Sequence, residues 1–425
     1  MPAGLLRQQT TALSMLGKHA HHPPAARLPE LDGLRALAIL LVLFSHHFSA
    51  APVAAVRQAA EMGWIGVDIF FVLSGFLIGG ILLDQRAAAN YYRDFYARRF
   101  FRIVPLYAVL VLPGLLVLGL GLQRFFAGHS LAGLPAAGLW SYPFFLQNMA
   151  AALGLALPAY LGPAWSVAVE EQFYLLLPPL VRRLERRQLL FFLLLAIGVA
   201  PVVRGLLVWH WGVRAGIPCY VLLPCRWDSL LLGVVVAMAY RAEGFQRWME
   251  RHRTALHGGW WGGALLTGTF LILHPSRLDP YMAFLGYSGL DSFFALTLLL
   301  AVTSFGGWLQ RAFRWPVFKP IATISYGLYL LQSPMMAVTE TLCRKVHLHY
   351  APISWLATAV ALTSLLGTFV AAGISWQWFE SRMLRRGQRF TFQVPNRPEK
   401  VESRHCHQPH DSTSRITVIT SGDRR

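Results

Sequence analysis

Long runs of apolar residues alternate with short polar or basic segments over most of the chain. Because a membrane-spanning helix needs about 20 largely apolar residues, each long run predicts one span. The segment 139–157 is also apolar, but its prolines and its polar Gln147 and Asn148 favour a shallow or re-entrant segment that is buried against protein. The pattern predicts an all-α polytopic integral membrane protein with about ten spans, at residues 34–50, 64–84, 103–122, 165–182, 188–209, 221–240, 257–274, 281–304, 321–339 and 353–377.

The distribution of lysine and arginine residues tests this number of spans. Cytoplasmic loops of membrane proteins carry an excess of basic residues. If the N-terminus is cytoplasmic, ten spans place 30 basic residues inside and only six outside, namely Arg57, Arg124, Arg214, Arg277, Arg344 and Lys345. One span more or fewer would move every later loop to the other side of the membrane and remove the excess of basic residues inside. We therefore expect both termini in the cytoplasm.

The composition supports a membrane protein and argues against a nucleic-acid partner. Charged residues make up only 14% of the chain, whereas soluble proteins carry roughly a quarter. The net charge of +18 is spread over short clusters between apolar runs, which is typical of topology signals. We expect residues 1–30 to be a cytoplasmic segment without a cleavable signal peptide, residues 31–387 to be the membrane domain, and residues 388–425 to be a disordered basic tail.

The four cysteines form no zinc or redox motif, and we predict no metal site. Cys219 and Cys225 are either free thiols or, if they lie outside the cytoplasm, a disulfide pair. The spacing alone leaves both alternatives open.

Ionisable residues inside predicted spans are costly to bury and are therefore candidates for function. The first span contains Arg35 and His46, which are 11 residues apart. This spacing places both on one helix face, about 16 Å apart along the axis. Arg35 would lie at the cytoplasmic end, where it could also be a snorkelling anchor. His46 would lie near the outer end, as a catalytic group or as a hydrogen-bonded core histidine.

Three carboxylates fall at a depth similar to that of His46. Asp68 lies near the outer end of the second span, and Glu170 and Glu171 lie near the outer end of the fourth. Neighbouring residues point about 100° apart on a helix, so at most one of the two glutamates faces a given site. An alternative role for the glutamates is to pair with Arg204 or Arg226.

A histidine beside a carboxylate is a plausible general base for a hydroxyl nucleophile. We therefore predict that His46 is catalytic and that Asp68, Glu170 or Glu171 assists it. Arg226 and Asp228, in the segment CRWDSLLLG, fall near the same level and are further candidates.

Arg99 and Arg102 are three residues apart, so they share a helix face near the cytoplasmic boundary. Together with Arg35, these guanidinium groups could bind the phosphates of a donor substrate. The alternatives are a topology signal or contact with anionic lipids.

Six segments resemble the membrane-bound acyltransferase family 3, the O-acyltransferases of bacterial surface polysaccharides, antibiotics and glycolipids. In chain order they are ELDGLRALAILLVLFSHH, GVDIFFVLSGFLI, FYARRFFRIVPLY, WSVAVEEQFYLLLPPL, RWDSLLLG and ISYGLYLLQSP, within residues 28–386. The family's arginine–ten–histidine motif matches Arg35 and His46, and its paired-arginine motif matches Arg99 and Arg102. Further candidate site residues within these segments are Ser74, Trp165, Ser166, Tyr174, Ser325, Tyr326 and Gln332.

The resemblance implies about ten spans in the bacterial cytoplasmic (inner) membrane and an acyl-CoA co-substrate, commonly acetyl-CoA, with no bound cofactor. Family members commonly have histidine in the segment that here reads YLLQSP, where Gln332 stands. Glutamine forms hydrogen bonds but cannot change charge, which argues against proton transfer at this position. Many relatives carry a further C-terminal esterase-like domain, and the polar tail is too short for one.

These observations predict an O-acyltransferase that transfers an acyl group, commonly acetyl, from acyl-CoA to a hydroxyl of a carbohydrate or glycolipid acceptor at the membrane. The alternative is a transporter of a glycosylated or acylated compound, with His46 and the carboxylates as a proton relay. The predicted arginine cluster at the inner boundary favours the enzyme, because a proton-coupled transporter needs no phosphate-binding site there.

Overall fold

A computed structural model describes residues 28–120, 136–303, 307–345 and 353–393, and the regular structure in these ranges is helical, without strands. Within them are ten helices of at least 16 residues. They are α1 Pro29–Phe48, α2 Gly66–Asp84, α3 Tyr91–Gly119, α4 Trp165–Arg183, α5 Arg186–Trp211, α6 Leu223–Tyr240, α7 Arg253–Leu273, α8 Tyr287–Val302, α9 Ser325–Lys345 and α10 Ile353–Ser375.

Shorter helical elements connect the long helices. The α-helical ones are Ala54–Glu61, Ala136–Leu139, Gln147–Ala152, Gly216–Val221, Phe245–Arg251, Trp308–Phe313, Phe318–Thr323 and Ser381–Gln388. The 3-10 turns are Met62–Ile65, Tyr142–Phe144, Ala159–Ala164 and Gly212–Ala215, and the π-turns are Met282–Gly286 and Trp376–Glu380.

Every predicted span coincides with one long helix, and the all-α polytopic class is confirmed. By length and apolar composition, however, only seven helical segments in the described ranges qualify to cross a membrane. The count of ten spans is therefore not confirmed. The three long helices that do not qualify are α4, α7 and α9. The sequence of α4 is less apolar because it contains Glu170, Glu171, Arg182 and Arg183.

The helices α2 and α6 pack closely against each other. The helices approach closely where Gly75 of α2 lies against the backbone of Leu230, and Gly233 of α6 lies against the backbone of Val72. A side chain at either glycine would collide with main-chain atoms, which is the usual reason for small residues between membrane helices. This close contact fixes how α2 and α6 present their buried polar residues to each other.

The described part of the segment between α3 and α4, residues 136–164, forms short helical elements. Gln147 and Asn148 are fully buried. The Gln147 amide donates a hydrogen bond to the Ala164 carbonyl at 2.8 Å, and the Asn148 amide donates to the Val221 carbonyl at 3.2 Å. The Gln147 side-chain oxygen is buried without a hydrogen-bond partner among the described residues. The shallow or re-entrant path of this segment stays a prediction.

The end of the described chain packs on the start of α3. Gln393 exchanges hydrogen bonds with Ala89 and Asn90, and Arg98 donates one to the Phe390 carbonyl at 2.6 Å. The boundary predicted at residue 388 thus lies inside an ordered contact. The rest of the predicted tail, residues 394–425, and nearly all of the predicted N-terminal segment lie outside the described residues. Cys219 and Cys225 are buried free thiols, so the disulfide alternative is wrong.

Candidate active site

A cavity of about 120 Å³ lies among α1, α2, α3, α4 and α9. We call it the arginine cavity. Its volume suits a group of a few heavy atoms, since an engineered cavity of about 150 Å³ binds benzene. Apolar side chains such as Phe70 and Phe71 line part of it, and the polar lining residues are Arg35, Ser74, Arg99, Arg102, Ser166, Glu170, Tyr174, Ser325, Tyr326 and Tyr329.

Three arginines line this cavity from two helices. Arg35 comes from α1, and Arg99 and Arg102 come from α3, which begins at Tyr91 rather than at the predicted residue 103. Within the described chain, neither Arg99 nor Arg102 has a carboxylate within 4 Å, and Arg35 reaches Asp32 only at 4.0 Å. Guanidinium groups with unused donors around a cavity are suited to bind an anion such as a phosphate group.

Glu170 is the carboxylate of the arginine cavity. It lies beside the hydroxyls of Ser74 on α2 and Tyr174 on α4, which are 2.5 Å from each other. The charges of Arg99 and Arg102 act on it from the facing helix. Glu171 does not line the cavity, and its buried Oε1 has no hydrogen-bond partner. As predicted for adjacent helix positions, only one of the two glutamates faces the site.

Hydroxyl groups on α9 and α4 form another wall. Tyr326 donates a hydrogen bond to the Ile103 carbonyl at 2.8 Å, and Ser325 donates to the Ala322 carbonyl at 2.9 Å. Tyr329 donates to the Pro163 carbonyl at 2.8 Å and lies 2.5 Å from the Ser166 hydroxyl. Tyr329 was missed by the sequence analysis. Its position three residues after Tyr326, on the same helix face, was the signal that could have identified it.

His46 lies outside the lining of the arginine cavity and is half-buried. Its Nδ1 is 2.9 Å from the Val42 carbonyl. Because a carbonyl only accepts, Nδ1 carries the hydrogen, and Nε2 of the neutral ring is left to accept a proton. His47 makes the equivalent contact to the Leu43 carbonyl at 3.0 Å, but its Nε2 is buried without a partner. The accessible basic nitrogen therefore belongs to His46.

Among the residues that the structure describes, none of the predicted carboxylates, Asp68, Glu170 or Glu171, pairs with His46. Asp68 forms an ion pair with Arg226, and both side chains are fully buried. Glu170 lies with the arginines of the cavity instead. Among charged side chains, Arg277 acts most strongly on His46. The physical reason is that a buried arginine must be neutralised, and the close contact between α2 and α6 brings Asp68 to Arg226.

Arg226 and Asp228 belong to a second group of buried charges, away from the arginine cavity. Asp228 pairs with Arg204 at 2.9 Å. The partners of Arg226 and Arg204 are thus Asp68 and Asp228, and the alternative that Glu170 or Glu171 pairs with these arginines is wrong.

Two other candidates support the structure around the site. Trp165 packs on Tyr220, with ring centroids 4.6 Å apart, and on Phe71. Gln332 is fully buried, and its amide donates a hydrogen bond to the Tyr329 carbonyl at 2.9 Å. Neither Trp165 nor Gln332 lines the arginine cavity.

Comparison with known families bears on what this arrangement does. The sequence model of a family described as an acyltransferase domain matches residues 28–375. The chain belongs to this acyltransferase family. The match covers all the residues that line the arginine cavity, together with His46 and the buried ion pairs.

Two curated proteins are similar to this chain over most of its length. The chain is 26% identical over 379 residues to the peptidoglycan O-acetyltransferase OatA of Listeria monocytogenes, covering 85% of this chain and 56% of that protein. It is 27% identical over 383 residues to the O-acetyltransferase OatA of Staphylococcus aureus, covering 85% and 58%. The chain thus spans just over half the length of these relatives. No solved structure matches it significantly.

Proposed function

We propose that this chain is a membrane-embedded O-acyltransferase that transfers an acetyl group from acetyl-CoA to a hydroxyl of a cell-surface carbohydrate. The observation that carries the proposal is the arginine cavity. Among the described residues, the carboxylate of Asp32, at 4.0 Å from Arg35, is the only one within 4 Å of Arg35, Arg99 or Arg102. Membership of the acyltransferase family and relatives named as O-acetyltransferases support it.

The three arginines would bind phosphate groups of the donor. The cavity holds a phosphate-sized group but not a whole CoA molecule, so we expect the remainder of the donor to extend from it. Arg35 and His46 lie about 16 Å apart along α1, by the rise of an α-helix. In CoA, the extended pantetheine arm lies between the phosphates and the thioester. If the phosphates bind near Arg35, this arm can therefore place the thioester near the depth of His46.

His46 would act as the general base. Its Nε2 accepts the proton of the acceptor hydroxyl while the hydroxyl oxygen bonds to the carbonyl carbon of the thioester. The carbon–sulfur bond then breaks, and the CoA thiolate leaves. His46 returns to its neutral form by releasing the proton, and the thiolate takes up a proton to form the thiol. No net proton is consumed or released by the transfer.

The acceptor is proposed from the relatives. The Listeria protein is named for peptidoglycan, and a carbohydrate hydroxyl is the corresponding acceptor class. We further propose a location in the bacterial cytoplasmic membrane with both termini in the cytoplasm, on the basis of the distribution of basic residues.

The proposal is tested with the purified chain in lipid nanodiscs, supplied with acetyl-CoA and soluble glycan fragments. Release of free CoA thiol and the mass of the acylated glycan are measured. Arg102→Lys keeps the charge but loses the planar fork, so we expect the Michaelis constant for acetyl-CoA to rise about tenfold or more. Arg93→Lys is the matched control, because Arg93 lies on the same helix with an exposed side chain.

Unchanged acetyl-CoA kinetics in Arg99→Ala and Arg102→Ala would show that these arginines do not bind the donor. Transport of a glycosylated or acylated compound without any acetyl-CoA turnover would instead support the transporter.

A further inference from the structure

A cluster of five ionisable side chains lies fully buried among α2, α5, α6 and α8. We call it the ionic cluster, and its members are Asp68, Arg204, Arg226, Asp228 and Asp291. Two of the five are cationic and three are carboxylic acids. If all were ionised, the cluster would carry one uncompensated negative charge.

Four members of the ionic cluster are paired. Arg226 forms an ion pair with Asp68, and Arg204 forms one with Asp228 at 2.9 Å. The Ser288 hydroxyl donates to Asp228 Oδ2 at 2.8 Å, and the guanidinium of Arg226 lies 4.0 Å from the ring centroid of Tyr287. Each arginine therefore already has a carboxylate partner.

Asp291 is the carboxylic acid of the ionic cluster that has no arginine partner. It lies one turn after Ser288 on α8, and neither of its oxygens has a hydrogen-bond partner in the described structure. Asp228 Oδ1 of α6 is also buried without a partner, and the Ser229 hydroxyl of α6 lies beside Asp291. The charge of Asp228 acts on Asp291 more strongly than that of either arginine.

Protonation of one carboxylic acid removes the excess negative charge of the ionic cluster. A protonated carboxylic acid is neutral and can donate one hydrogen bond, whereas a carboxylate only accepts. Two carboxyl groups that share a buried site cannot both ionise without strong repulsion. One proton held between Asp291 and Asp228 would neutralise the ionic cluster and would give Asp228 Oδ1 a donor.

We propose that Asp291 is a proton-binding residue, which shares one proton with Asp228 and makes the ionic cluster electrically neutral. The bound proton allows α8 to pack against α5 and α6 without an unpaired charge between them. The charged groups that act on Asp291 are Arg226 and Asp228 from α6 and Arg204 from α5. Asp68 of α2 and Tyr287 of α8 contact the cluster through Arg226.

A proton fits this site better than a metal ion. The described residues contain no group of three or more histidine, cysteine or acidic side chains placed to hold a metal. Arg204 and Arg226 also repel a cation from the space beside Asp291. The site lies outside the arginine cavity, so the inference does not depend on the proposed acyl transfer.

The first test is thermal unfolding of the full chain in nanodiscs over a range of pH. The folded state keeps the shared proton, whereas aspartate in the unfolded chain loses its proton above about pH 4. The wild type should therefore lose stability as the pH rises from there, with a slope that corresponds to one proton, until the folded state also loses it. Asp291→Asn cannot ionise and should lack this slope. Asp84→Asn is the matched control, because Asp84 is 43% exposed and pairs with Arg241 on the surface; it should keep the wild-type slope.

The second test does not require a folded variant. Infrared spectra of wild-type protein, with and without ¹³C-labelled aspartate, should show an isotope-sensitive carbonyl band of a protonated aspartic acid at neutral pH. If Asp291→Asn folds, the band should disappear in it. A wild-type spectrum without this band, a band that persists in folded Asp291→Asn, or stability that follows sodium concentration instead of pH would overturn the proposal.

Discussion

The hydroxyls of Ser74 and Tyr174 lie 2.5 Å apart, although the two residues are separated by 100 positions in the sequence. The contact joins α2 to α4 beside Glu170, at the wall of the arginine cavity. A carboxylate accepts hydrogen bonds, and one hydroxyl can donate to Glu170 while the other donates to the first. This pair therefore holds Glu170 toward the arginines.

Tyr174→Phe should reduce acyl transfer without unfolding the protein. It removes a hydroxyl that supports Glu170, and hydrogen bonds to charged groups contribute about 1.5–3 kcal/mol. We expect kcat/KM for acetyl-CoA to fall roughly 10- to 100-fold. Steady-state kinetics measure this change. Tyr96→Phe is the matched control, because the Tyr96 hydroxyl makes only a 3.4 Å contact to the Leu175 carbonyl. Equal kinetics in both variants would contradict the role of the Ser74–Tyr174 pair.

Asp68→Ala should lower stability and leave the chemistry intact. The substitution leaves Arg226 buried without its carboxylate, and removal of one partner of a buried ion pair costs about 3–5 kcal/mol. We expect a large fall in the yield of folded protein and in its unfolding temperature. Turnover per mole of folded protein should stay near the wild-type value, because Asp68 does not line the cavity or contact His46.

The double variant Asp68→Leu with Arg226→Met tests whether the unpaired arginine causes the loss of stability. Replacing both charges by apolar groups removes the unpaired arginine, so stability should recover above that of Asp68→Ala alone. If Asp68→Ala were normally stable but inactive, a direct catalytic role for Asp68 would be supported instead.

Reporter fusions should show on which side of the membrane each loop lies. The distribution of basic residues predicts that fusions at Arg186 and Arg251 are internal and that those at Arg57 and Arg344 are external. Enzyme reporters that are active on only one side of the membrane measure this directly. An internal reporter at Arg57 or Arg344 would contradict the assigned orientation.

The positions of the helices followed from the apolar runs, because each long helix coincides with one of the predicted runs. The face shared by Arg99 and Arg102 also followed from spacing within one helix. Both now line the same cavity as Arg35. These features depend on local periodicity, which a single sequence displays.

The partners of residues on different helices could not be predicted in the same way. Asp68 and Glu170 seemed equivalent neighbours for His46 because both were placed by depth alone. Which side chain meets which depends on helix rotation and on the close approach at Gly75 and Gly233. That geometry directs Asp68 to Arg226 and Glu170 to the arginine cavity.

The central claim is that His46 removes the proton of the acceptor hydroxyl. Its Nδ1 is engaged with the Val42 carbonyl, so Nε2 is the basic atom. Loss of a general base lowers a rate by about 10²–10⁴-fold. The most direct test is the rate of acyl transfer per mole of folded, membrane-inserted protein for His46→Ala beside His47→Ala. We expect a loss of this size for His46→Ala and most of the activity for His47→Ala. Near-normal transfer by His46→Ala would show that His46 is not the general base.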